Sequence, residues 1–264
     1  TDGSIFYSSA KKSILHLQSP IKNVNNNPKG KIKLSSWKMI IYNSQFTKSE
    51  AEKSWRIKGL VVYPPVSVDE IKPLKKKKQI VSVGRFFGFL KDKKHEFLID
   101  SFKELIKRNN LKDWSLHLVG GVTAGDQPYL DELKKMSEGL PIFLYPNLRF
   151  DQLKKLYGQS QIYWHASGFG ETDPTKMEHF GISTVEAMEG GCIPVVINLG
   201  GQKEIVKEGE TGFLWNSQEE LLEKTLKIIK DRKLFEKYSK QAQKRSKIFS
   251  KNKFCQEFEK IIHD

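Results

Sequence analysis

Two glutamates eight positions apart, Glu178 and Glu186, bracket the segment richest in residues able to do chemistry, Met177-Glu178-His179-Phe180-Gly181-Ile182-Ser183-Thr184-Val185-Glu186-Ala187-Met188. Gly181 lets a backbone approach a ligand closely, and a helix starting at Ile182 offers unpaired N–H groups and the positive end of its dipole. That combination binds phosphate. Ser183 and Thr184 can add hydroxyl donors, and Glu186 can accept from vicinal hydroxyls such as those of a ribose. Glu178, on the loop ahead of the helix, would face the other end of the ligand. The plainer alternative makes Ser183 and Thr184 helix caps and Glu186 a solvated face residue. A second group is Val83-Gly84-Arg85, followed by Lys91, Lys93 and Lys94. A guanidinium fork at a strand end and a lysine a few residues later can clamp a diphosphate without a divalent cation. Arg85 and Lys93 are the preferred pair, with Lys91 and Lys94 as rivals. His165 is a candidate for donor contact, and His179 is less favoured because a loop histidine more often has a structural hydrogen bond.

Positioning these residues requires a repeating strand, turn and helix. Strand-like runs occur at Ile80–Gly84, Ser115–Val119, Ile142–Tyr145, Ile162–His165, Ile193–Ile197 and Gly212–Trp215, with helical patterns near 94–108, 127–137, 150–158, 182–189 and 203–207. Alternation of this kind predicts an α/β fold, a doubly wound parallel sheet of Rossmann type whose ligands bind beyond the strand carboxyl ends. Gly84, Gly120-Gly121, the loop Ala166-Ser167-Gly168-Phe169-Gly170 and Gly200-Gly201 all fall at those ends. The first 66 residues use the same vocabulary more sparingly: strands at Ile14–Gln18, Met39–Tyr42 and Gly59–Tyr63, a loop at 19–31, and a helix from Thr47 to Trp55 with Thr47 and Glu50 as a capping box. So few strands predict the remnant of a second domain, and a chain opening at Thr1 rather than Met fits a fragment. The expected division is 1–66 as that remnant, 67–78 as a basic linker, 79–249 as the ligand-binding domain and 250–264 as a final amphipathic helix that needs a surface to lie on.

Net charge is +14, from 45 Lys and Arg against 31 Asp and Glu, which favours anionic partners. The densest run, Lys75 to Lys78, reads as a solvated linker or as an attachment to an anionic membrane face. No zinc spacing or aromatic RNA-binding motif supports nucleic acid as a partner. No run approaches the roughly 20 apolar residues of a membrane span, so the expectation is a soluble, cytoplasmic protein, peripheral at most to the membrane. Cys192 and Cys255 read as reduced packing residues, and no histidines are spaced for metal ligation, so neither metal nor cofactor is expected.

The ordered set Phe46-Thr47-Lys48, Tyr63-Pro64-Pro65-Val66, Val83-Gly84-Arg85, Glu178 to Glu186, Gly200-Gly201-Gln202-Lys203-Glu204-Ile205-Val206 and Gly212-Phe213 resembles the landmarks of glycosyltransferase family 4, the group 1 glycosyl transferases of GT-B fold. The resemblance runs from about residue 40 to 215. It implies a retaining enzyme that transfers a hexose from a nucleoside-diphosphate sugar to a glycan or lipid-linked acceptor, this chain carrying the donor half. It further implies diphosphate contacts from Arg85 and Lys93, sugar hydroxyls on Glu178, ribose on Glu186, and backbone contacts from Gly181 and Ile182, with Gly84 among the donor-binding residues. The rival readings are a glycoside hydrolase using the two glutamates, disfavoured because a carboxylate at a helix start stays ionised, a catalytically silent nucleotide-binding domain, and a basic nucleic-acid-binding domain.

Overall fold

The computed structural model describes residues 5–20, 28–55 and 58–263. Three parallel strands, β1 (Ile14–Leu17), β2 (Met39–Tyr42) and β3 (Leu60–Val61), form a small sheet in chain order, interleaved with α1 (Pro28–Ser35) and α2 (Gln45–Trp55). Leu15, Leu17, Leu34, Ile40, Tyr42 and Ala51 make its core. Here the sequence reading needs three corrections. The loop predicted for 19–31 lies partly outside the described residues, and from Pro28 onward it is helix α1, whose one buried residue is Leu34. Helix α2 starts before Thr47: Ser44 Oγ accepts from Thr47 N at 2.9 Å, so Ser44 caps the helix, while Thr47 is buried and Glu50 pairs with Lys53. Strand β3 is two residues rather than five.

The second sheet has six strands, β4 (Gln79–Val83), β5 (Ser115–Gly120), β6 (Ile142–Pro146), β7 (Ile162–His165), β8 (Ile193–Ile197) and β9 (Phe213–Trp215), in the spatial order β6-β5-β4-β7-β8-β9. Every pairing is parallel. In strand rank this is the order 3-2-1-4-5-6 of dinucleotide-binding sheets, with its reversal between β4 and β7. Alternate residues serve two cores. Ile80, Leu116, Leu118, Ile162, Trp164, Ile193 and Val195 pack under α3 (His95–Asn109), α4 (Gln127–Ser137) and the later helix Gln218–Lys230. Val81, Val119, Tyr163 and Val196 pack against α5 (Phe150–Gln159) and α6 (Ile182–Glu189). That is why the strands read as continuous apolar runs. Pro194 is tolerated inside β8 because Ile193 N–H turns to β7, at Gln161 O, which points the missing N–H of Pro194 toward β9 before that pairing begins at Val195.

After the short α7 (Gln202–Ile205), Ser217 caps α8 (Gln218–Lys230), and α9 (Arg232–Ser246) and α10 (Lys251–His263) finish the chain. Helix α10 starts where Lys251 N donates to Val66 O, and it reaches the first unit where Lys12 Nζ donates to Ile262 O at 3.0 Å. Its stripe of Phe254, Phe258 and Ile261 is only half buried, and Cys255, expected to pack, is exposed.

Most of the 67–78 segment is exposed, as a solvated linker would be, but three of its residues anchor it. Val68 and Ile71 are buried, and Lys76 turns inward. Its Nζ donates to Gly190 O at 2.6 Å, Ser160 O at 2.7 Å and Tyr157 O at 3.4 Å. Those carbonyls close the C-terminal ends of α5 and α6, the negative ends of two helix dipoles. Lys78 pairs with Asp113, leaving Lys75 and Lys77 exposed without a described acid partner.

Candidate functional site

A cleft of about 600 Å³ opens beyond the carboxyl ends of β4, β5 and β7, with Gln18, Asn43 and Pro64 of the first unit forming its opposite wall. It lies at the point where the strand order reverses, where neighbouring loops diverge and leave a crevice.

Arg85 leaves β4 exposed on the cleft wall. Its guanidinium lies 5.6 Å over the Phe87 ring and forms no ion pair among the described residues. The three rival lysines part company. Lys91 Nζ is 2.9 Å from Glu96 and 3.0 Å from Glu132, and Lys94 Nζ is 2.7 Å from Glu171. Only Lys93 of the three lines the cleft, with Nζ 2.8 Å from Glu178 Oε2. Lys91 and Lys94 adopt positive φ, 46° and 55°, a backbone that costs non-glycine residues energy. This distorted turn carries the Lys93 stem across Gly84, where an added Cβ would stand 2.6 Å from Lys93 Cγ. The glycine therefore makes room for Lys93 as well as lining the cleft.

Glu178 comes from the loop after β7. Its backbone is fixed from below: Gly201 N donates to Glu178 O at 2.8 Å, and a Cβ on Gly200 would stand 2.2 Å from that oxygen. Burial alone would raise its pKa, but the Lys93 ammonium and the His165 hydrogen bond together hold the carboxyl well below the usual range. Lys93 responds in kind: burial works against its charge, and Glu178 more than offsets that, raising its pKa. An ionised Glu178 cannot serve as a hydrolase's acid.

Helix α6 begins after Gly181, whose φ of 122° is a glycine conformation and whose added Cβ would meet Gln202 Nε2 at 2.5 Å. The first N–H groups bonded within the helix are those of Thr184 and Val185, to Gly181 O, so those of Ile182 and Ser183 remain for the cleft. Ser183 lines the cleft with its Oγ 2.8 Å from Tyr163 OH, and one turn on, Glu186 Oε2 accepts from Tyr157 OH at 3.1 Å. Burial raises the Glu186 pKa against that hydrogen bond, contrary to the expectation from the helix start.

Two expected ligand contacts are elsewhere. Thr184 is fully buried and donates to Gln202 Oε1 at 2.9 Å, because it faces the sheet side of α6. His165 is sealed beneath the cleft, its Nε2 3.1 Å from Glu178 Oε2. His179 lines the cleft, its ring stacked 6.4 Å from Phe46. Sequence reasoning gave no role to Gln18 and Asn43, although they follow the ends of β1 and β2, the place where the second sheet keeps its ligand loops, and it held Pro64 only as part of a family landmark. Glu204 was read only as part of a family landmark, yet it spans the two units: its carboxylate accepts from Gln45 N at 2.8 Å and Phe46 N at 2.7 Å, capping α2. Among the described residues no three His, Cys, Asp or Glu side chains gather to hold a metal, and no helix is long and apolar enough to cross a membrane.

Comparison with known proteins places this cleft in context. Relatives include proteins named GDP-Man:Man(3)GlcNAc(2)-PP-Dol alpha-1,2-mannosyltransferase. That of Dictyostelium discoideum is 29% identical over 85% of this chain and 47% of its own, and that of Homo sapiens is 31% identical over 72% and 41%. The chain thus spans about half the length of these curated relatives. Among solved structures, Anabaena HepE in complex with UDP and glucose superposes with a TM-score of 0.73 at 20% identity, covering 96% of this chain and 72% of that one. At that identity the likeness establishes the fold, a GT-B glycosyltransferase architecture. Residues 67–245, more than half of the sequence, match the family described as Glycosyl transferases group 1, and the chain belongs to that family.

Proposed function

We propose that this chain carries the donor-binding part of a retaining enzyme of glycosyltransferase family 4, which moves a hexose from a nucleoside-diphosphate sugar to a lipid-linked glycan. The observation that carries the reading is the convergence of Arg85, Lys93 and the open N–H groups of Ile182 and Ser183 on one cleft, with Glu178 and Glu186 flanking them. A diphosphate leaving group gathers negative charge as its bond to the anomeric carbon breaks. The two cations and the helix start are set to receive that charge, and such preorganised stabilisation is usually the largest catalytic contribution. An acceptor hydroxyl attacks the same carbon from the face that the diphosphate leaves, and its proton passes to the departing phosphate oxygen, so the anomeric configuration is kept. Glu178, kept ionised, accepts from sugar hydroxyls, and Glu186 accepts from the ribose. The acceptor approaches from the three-stranded unit, whose Gln18 and Asn43 face the donor side. The mannosyltransferase names of the relatives favour GDP-mannose as the donor and a dolichol-linked oligosaccharide as the acceptor. Cytoplasmic location, with peripheral contact to an anionic membrane through the exposed Lys75 and Lys77, completes the proposal.

Calorimetry with GDP-, UDP- and ADP-sugars tests the donor reading directly. GDP-mannose should bind most tightly, without added metal, and Arg85→Ala should weaken it. Failure of all three to bind, against binding of an oligonucleotide, would return the chain to the nucleic-acid reading. Retention is checked by the anomeric configuration of the product formed by the full-length protein.

A further inference from the structure

Under the cleft, one oxygen serves two donors. Glu178 Oε2 lies 2.8 Å from Lys93 Nζ and 3.1 Å from His165 Nε2. Lys93 and Glu178 line the cleft, whereas His165, 3% exposed, does not. An ionised carboxylate can only accept, so the imidazole carries its proton on Nε2. Nδ1 is buried without a hydrogen-bond partner, a place where a second proton would find no acceptor. The ring lies near Tyr163, centroids 6.5 Å apart, and the charged groups around it are Glu178, Lys93 and Asp92. Burial lowers the imidazole pKa, and the Glu178 carboxylate opposes that without overcoming it, so the ring is neutral at physiological pH.

Lys93 has two claims on it. In the unliganded cleft it neutralises Glu178, yet a bound diphosphate requires its charge. We propose that His165 is a positioning residue: its neutral Nε2–H fixes the Glu178 carboxylate, so that Lys93 can turn to the donor's diphosphate while Glu178 stays aimed at the sugar. This rests on the donor-binding reading above. Without His165 the Lys93 ammonium alone holds Oε2, and once phosphate draws it away the carboxylate loses its orientation. Loss of one hydrogen bond to a charged acceptor, about 1.5–3 kcal/mol, corresponds to about 10- to 150-fold in affinity.

The test separates the sugar from the nucleotide. GDP and GDP-mannose are titrated calorimetrically into wild type, His165→Phe, which fills the ring space without a donor, and His165→Gln, whose amide nitrogen reaches the place of Nε2. His165→Phe should bind GDP within about threefold of wild type but GDP-mannose about 10- to 150-fold more weakly, and His165→Gln should restore it to within about threefold. Nitrogen-15 spectra of the wild-type ring should report a neutral Nε2–H tautomer from about pH 7 to 8, with and without GDP. A ring protonated on Nδ1, a Phe variant with unchanged GDP-mannose affinity, or a Gln variant as weak as Phe overturns the proposal. If wild type binds neither nucleotide, the donor reading falls and takes the role of His165 toward the donor with it, whereas a Phe variant that keeps wild-type GDP-mannose affinity overturns this inference alone.

Discussion

Lys76→Met removes the one ammonium that closes two helices while keeping the length and packing of the stem. Gly190 O and Ser160 O lose donors at 2.6 and 2.7 Å, and Tyr157 O loses a weaker one. The Cys192 thiol, 3.4 Å from Ser160 O and 3.1 Å from Tyr157 O, replaces little of this. Hydrogen bonds involving a charged partner are worth about 1.5–3 kcal/mol each, and burial of the ammonium, which lowers its pKa, consumes part of that sum. A net loss of about 3 kcal/mol follows, and at about 2–4 °C per kcal/mol for domains of this size the melting temperature should fall by roughly 6–12 °C. The assay is thermal unfolding followed by circular dichroism, with Lys77→Met as control. Lys77 is exposed, and a surface substitution of that kind stays within about 0.5 kcal/mol. If the two variants melt within about 2 °C of each other, the lysine run is a surface charge patch after all and the helix-closing argument is wrong.

Arg85→Ala should weaken nucleoside-diphosphate binding by about 10- to 150-fold by calorimetry, Arg85→Lys recovering only part because a point charge replaces a fork; wild-type affinity in the alanine variant would remove Arg85 from the site. Glu204→Ala leaves Gln45 N and Phe46 N without their acceptor, at a cost of about 1–2 kcal/mol. The three-stranded unit should then be cut faster in limited proteolysis, while an unchanged digestion rate would mean the contact does not hold the units together. Acid should destabilise the fold early. Burial depresses His95 and His117 from 6.5 to about 4, so the unfolded chain takes up their protons first. Their contribution is complete above pH 6.5 and drains away as pH falls toward 4, about 2 kcal/mol for each at pH 5. A melting temperature unchanged between pH 7.5 and 5 would show that neither ring is held neutral.

The six-stranded sheet was legible because each strand is an apolar run between turn residues and each helix has its own period. Direction was harder to read. In β7 all four residues are buried, so alternation could not say that His165 points beneath the cleft rather than into it. On α6 a cue did exist: Ser183 and Glu186, three apart, share the half-exposed face, while Thr184 and Val185 between them are buried. Helix α1 was hidden because Pro28-Lys29-Gly30-Lys31 has the composition of a turn, and its fixing contacts, such as Ser36 Oγ accepting from Ser8 N, join residues 28 positions apart. Lys76 was misread for the same reason. A charge run is normally solvated, and no local pattern reveals that two helix ends converge on one of its members.

The segment from Gly200 to Val206 connects binding to the relation between the two units. Gly200 and Gly201 lie against the backbone of Glu178 to Phe180 closely enough that neither tolerates a Cβ without displacement. Gln202 accepts from Thr184 on α6 and fills the space that a side chain on Gly181 would need. Glu204 caps α2 across the cleft, and Arg245 holds the segment from α9 through Glu204 O at 2.6 Å and Ile205 O at 2.9 Å. A shift of the three-stranded unit would therefore pull, through Glu204, on the same short helix that supports the Glu178 loop and the start of α6. Coupling of this kind needs a contiguous set of packed and hydrogen-bonded groups, and these residues supply one. It gives the segment a reason to combine two glycines, an amide and an acid within five positions: close approach, a buried hydrogen bond and an inter-unit cap are each met by a different residue type.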